Sequence, residues 1–64
     1  MAFRDQVERF LGKQVRVETV DGTYTGRLDE VKSSTIILRD NDGKHRTIIR
    51  NSKIVAVTEL GRHH

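Results

Sequence analysis

The chain has no cysteine, no proline and no tryptophan, and only one tyrosine and two phenylalanines among its 64 residues. Each absence excludes something. Without cysteine there is no disulfide and no thiolate zinc site. The histidines are His45 and the terminal pair His63 and His64. These are poor material for a structural metal, so neither a metal nor a cofactor is expected. The terminal pair is of the kind a purification tag leaves and is given no functional weight. No apolar run approaches the roughly 18 residues of a membrane helix. The longest are Ile36-Ile37-Leu38 and Ile54-Val55-Ala56-Val57. The N-terminus lacks a positive cap followed by an apolar stretch, so no secretion signal is expected. A soluble, cytoplasmic protein without a membrane partner is the expectation. Catalytic patterns are missing too: no nucleophile elbow, no Gly-rich phosphate loop, no His-Glu metal helix. Asp29 and Glu30 are neighbours on a predicted strand and therefore point to opposite faces. No catalytic residue is assigned and an enzyme is not expected.

What is present is charge. One third of the residues are Asp, Glu, Lys or Arg, and 12 bases against 9 acids leave a net +3. That permits an anionic partner without being a polybasic tail. A domain of about 60 residues buries only roughly 60% of the surface its unfolded chain exposes. Small chains compensate with disulfides, a metal or oligomerisation. Here oligomerisation is the remaining support.

Read in order, Phe3, Val7, Phe10 and Leu11 follow a helical spacing and predict a helix over residues 2–11 with one apolar stripe. Gly12 fits a left-handed stop. The period then changes to two. Val15, Val17 and Thr19 alternate with Arg16 and Glu18 in a first strand, 14–20. Asp21-Gly22 reads as a hairpin turn whose two central residues take positive φ. A second strand, 23–32, carries Tyr24, Gly26 and Leu28 on one face, with Tyr24 read as core or rim and not as a base platform. Val31 breaks that parity, which implies a bend or bulge, with Gly26 as the residue that allows it. After the polar break Lys32-Ser33-Ser34 come a third strand, 35–40, and the turn Asp40-Asn41-Asp42-Gly43. A fourth strand, 44–50, and a fifth, 53–58, complete the chain. One domain, 1–64, is predicted, mainly β: a helix followed by a five-stranded, strongly bent antiparallel SH3-like barrel.

Helix, Gly and five strands with these turns resemble the Sm-like superfamily: Sm, LSm, archaeal Sm-like proteins and bacterial Hfq. The likeness spans about residues 3–58. It rests on Val15-Arg16-Val17, Asp21-Gly22, Gly26-Arg27-Leu28, Val31 and Ile36-Ile37-Leu38. A second motif is Ile49-Arg50-Asn51-Ser52-Lys53-Ile54, with Asn51 where the family has Gly. Asn tolerates positive φ better than other non-Gly residues. The resemblance implies a ring in which the fourth strand of one subunit pairs with the fifth of the next, a hexamer or heptamer. Ile48, Ile49, Val55 and Val57 would form the subunit interface. It also implies single-stranded RNA binding near the pore by Lys32, Ser33, Ser34, Arg50, Asn51 and Ser52. Lys32 stands where the family's Asp is expected, and Ser34 where Hfq-like spacing puts a stacking aromatic.

Two other readings stay open. The chain also resembles the C-terminal SH3-like barrel of the bacterial ribosome maturation factor, which implies a protein-interaction module. An Sm-like ring scaffold without RNA binding is the third, since serine offers a base no stacking surface.

Overall fold

A computed structural model describes residues 2–61; His63 and His64 lie outside them. The protein is mainly β. A short helix α1 (Phe3–Val7) and a 3-10 turn (Glu8–Phe10) precede β1 (Gln14–Thr19), β2 (Gly22–Val31), β3 (Thr35–Arg39), β4 (Arg46–Arg50), a 3-10 turn (Asn51–Lys53) and β5 (Ile54–Glu59). All pairings are antiparallel, and the strands lie in the order β4-β3-β2-β1-β5. Consecutive strands therefore neighbour one another until β5, which returns to the free side of β1. β4 and β5 are the two edges, and the sheet is not closed into a barrel.

The core follows the alternation of the sequence. Val15 and Val17 of β1, Leu28 of β2, Ile36 and Leu38 of β3, Ile49 of β4 and Val7 of α1 form one buried cluster. Burying a side chain of this size contributes about 1.5–3 kcal/mol. Phe10, Val31, Ile54 and Val57 pack on its margin. Val7 is the helix's one buried residue. The predicted helix over 2–11 is shorter than expected, because the chain tightens into the 3-10 turn after Val7. Three residues per turn carry Leu11 off the stripe that 3.6 residues per turn would have kept. Leu11 is accordingly exposed, and Phe3 at the helix start is exposed as well. Gly12 does stop the segment at φ +81°. Its N–H donates to the Leu28 carbonyl at 2.8 Å, and the Leu28 N–H donates to the Lys13 carbonyl at 2.9 Å, which ties the helix exit to β2.

One turn expectation changes. Thr19 pairs with Gly22, so the β1–β2 loop is Val20-Asp21 rather than Asp21-Gly22. Only Gly22 takes positive φ there, at +146°. Thr19 explains the shift: its Oγ1 donates to the Gly22 carbonyl at 2.8 Å and accepts the Asp21 N–H at 3.1 Å, closing the turn one residue early. The parity break in β2 is a register shift between Leu28 and Glu30, centred on Asp29. Gly26 has another role. A Cβ there would sit 2.9 Å from the Arg39 carbonyl oxygen, so glycine lets β2 approach β3 closely.

Candidate functional site

The two polar loops singled out in the sequence meet in space. Ser33 and Ser34 link β2 to β3, and Arg50, Asn51 and Ser52 run from β4 into the following turn. Thr35 pairs with Arg50 across β3 and β4, so the loops leave adjacent strands side by side. The Asn51 N–H donates to the Ser34 carbonyl at 2.9 Å. The Asn51 side-chain Nδ2 reaches the Ser33 carbonyl at 3.5 Å. Its Oδ1 is buried with no donor among the described residues. Ser33, Ser34, Thr35, Arg50, Asn51 and Ser52 line one cleft of about 440 Å³. Five of the six predicted loop residues are thus brought together.

Lys32 does not line that cleft. Its N–H closes the β2–β3 turn on the Thr35 carbonyl at 2.8 Å. Its ammonium lies 3.7 Å from Glu30, an exposed pair. Such pairs contribute about 0–1 kcal/mol, so another anion can draw the ammonium away. Asn51 does not take positive φ: among the described residues only glycines do. It begins the 3-10 turn instead, where its bonds to Ser33 and Ser34 fasten one loop to the other.

A second cleft, of about 160 Å³, lies between the β1–β2 hairpin and β4. Thr19, Asp21, Tyr24, Thr47, Ile48, Ile49, Arg50 and Lys53 line it. Residues of β1 and β4 share this cleft although two strands separate them in the sheet, so the sheet is curled. Arg50 borders both clefts. The Lys53 ammonium is 3.2 Å from Asp21.

The predicted interface residues divide by face. Ile49 is buried, and Val57, opposite Val17 of β1, packs against the core. Ile48 on β4 and Val55 on β5 are exposed at 67% and 69%. Val55 is exposed because β5 slips register there: Glu18 faces Ala56 and Thr19 faces Ile54, which leaves Val55 unpaired. Exposed apolar residues thus mark both edge strands.

Charges elsewhere are held locally. Arg27, Arg39 and Arg46 stand in one cross-strand row. Asp29 offsets their repulsion, accepting from Arg39 at 3.1 Å with Arg27 at 3.9 Å. The Arg39 hydrogen bond, helped by the charges of Arg39, Arg27 and Arg46, holds the Asp29 carboxyl below its ordinary range. Asp29 and Glu30 serve different partners, Arg39 and Lys32. Asp40, Asp42 and His45 converge within 4.8 Å, all exposed. Asp42 accepts the Lys44 N–H at 2.8 Å and bonds His45 Nδ1 at 3.0 Å. These bonds, the Lys44 N–H first, lower the Asp42 carboxyl and account for the cluster as a turn.

Among the described residues no helix is long and apolar enough to cross a membrane. Comparison with protein-family models, with curated proteins and with solved structures gave no match to this chain.

Proposed function

We propose that the chain is an Sm-like subunit that binds single-stranded RNA on a ring of its own copies, as an RNA chaperone or scaffold. The observation that carries the reading is the meeting of the 33–34 and 50–52 loops in one cleft. These are the two segments that the family resemblance assigns to RNA, and they lie far apart in sequence. The curled sheet fits the bent, SH3-like Sm barrel whose edges stay open. Unpaired edges recruit further strands, and a head-to-tail contact closes into a ring when its rotation suits. Pairing β4 of one subunit with β5 of the next would cover Ile48 and Val55. It would also repeat Arg50 and the +3 charge around one pore.

In this reading Arg50 contacts phosphate or stacks on a base, as a guanidinium can do both. Ser33, Ser34 and Ser52 offer hydroxyls, and Asn51 fixes the loops that carry them. Titration of a labelled oligouridine at low salt tests the assignment. Binding should weaken steeply with salt, and Arg50→Ala should weaken it several-fold. An oligomer that does not bind the wild type at low salt refutes RNA binding. Light scattering tests assembly: a mass of about six or seven subunits is expected. A mass near 7.4 kDa would favour the protein-docking module instead.

A further inference from the structure

The loop that should carry a stacking aromatic carries Ser34, yet the molecule holds an aromatic ring beside Arg50. Tyr24 is 38% exposed and lines the smaller cleft together with Ile48, Arg50 and Lys53. Its position follows from the register. It pairs with Val17 across β1 and β2, which puts it on the inward face. It sits near the hairpin end of β2, where the curled sheet leaves a gap facing β4, so the ring is only partly covered.

We propose that Tyr24 is a base-stacking platform and that Arg50 joins it to the loop cleft, so that one strand of RNA runs across both. The inference rests on the RNA-binding reading and names the contact which that reading lacks. At about 160 Å³ the cleft has room for one planar ring, not for a drug-sized ligand. Its walls match a nucleotide's parts: an aromatic face for the base, and cationic side chains for the phosphate. Lys53 makes an exposed pair with Asp21 at 3.2 Å, which a phosphate can displace as readily as the Lys32–Glu30 pair. Arg50 has no ion-pair partner among the described residues, and it borders both clefts, so it is the cation free to take the phosphate between them. Stacking is tolerant of sequence because every base has a π face. The platform therefore predicts affinity for single strands with little base preference.

Tyr24 is the only tyrosine and the chain has no tryptophan, so its emission reports on this ring alone. Oligouridine and an abasic oligomer of equal length are titrated into the wild type, with correction for absorption by the nucleic acid. Affinities of Tyr24→Phe and Tyr24→Leu are read in parallel by anisotropy of labelled oligouridine. The expected result is quenching by oligouridine and none by the abasic strand. Tyr24→Phe should keep wild-type affinity, whereas Tyr24→Leu should lose about five- to a hundredfold. If oligouridine binds while emission is unchanged and Tyr24→Leu binds like the wild type, the platform is refuted and RNA binding stands. If nothing binds, both readings fall. Should Tyr24→Leu fail to fold, the emission of the wild type decides alone.

Discussion

Replacing Gly26 with Ala sets two effects of opposite sign against each other. A glycine inside a strand costs roughly 0.5–1 kcal/mol relative to alanine, through the freedom it loses on folding. Backbone entropy alone therefore predicts that Gly26→Ala stabilises. The tertiary structure predicts the reverse. The new Cβ would lie 2.9 Å from the Arg39 carbonyl oxygen and 3.5 Å from Leu38 Cβ. The nearer atom is backbone, and β3 is held from both sides by its ladders to β2 and β4. It cannot swing aside as a side-chain tip would. Overpacking of this kind costs about 1–3 kcal/mol, and a blocked backbone belongs to the upper part of that range. Subtracting the entropic gain leaves a net loss of about 1–2.5 kcal/mol. In a domain of this size that lowers the melting temperature by about 5–20 °C. Thermal and urea unfolding followed by circular dichroism would measure it, at one fixed protein concentration so that any self-association contributes equally to both proteins. Two further glycines calibrate the result. Gly61→Ala meets open space and should be neutral. Gly22→Ala also meets open space, but at φ +146° its strain should cost about 1–3 kcal/mol. A Gly26→Ala protein melting at or above the wild type would show that β2 and β3 do not approach as described.

In the proposed ring, Ile48→Lys would put a charge on the exposed face of the β4 edge and should reduce the mass in light scattering toward one subunit. An unchanged mass would remove Ile48 from the interface. Ile49→Ala, one residue on, empties part of the core and should destabilise by about 2–5 kcal/mol. Asp29→Asn tests the arginine row. The folded carboxyl lies below its ordinary 3.8, so its contribution is present above that value and fades as pH falls through the lowered one. The wild type should lose stability in that acid window, and Asp29→Asn should lose less there. Parallel acid profiles for the two proteins would show that Asp29 does not hold the row.

Much of this architecture can be read from residue order. The change from helical spacing to alternation at Gln14 marks where β1 begins, because a half-buried strand must alternate. Val15, Val17 and Leu28 announce themselves as core by the same rule, whereas Ile36 sits in an unbroken apolar run. Local order also supplies Gly12 as a stop and the polar loops at 33–34 and 50–52, whose residue types suit a ligand more than a core. Other features depend on hydrogen bonds and packing that spacing and alternation do not reveal. Thr19 moves the hairpin turn by one residue because its hydroxyl finds the Gly22 carbonyl. The bulges at Asp29 and Val55 reflect the partners that β3 and β1 present. The 3-10 turn after Val7 detaches Leu11 from a stripe that the spacing had promised it. Gly26 is required because Arg39 of a neighbouring strand passes 2.9 Å from where a Cβ would stand. Tyr24 alternates like a core residue, and only the curl of the sheet sets it at an open cleft with Arg50. Alternation is a property of each strand by itself and is written in the chain. The distance between strands, and what meets across the curl, belongs to the packed sheet.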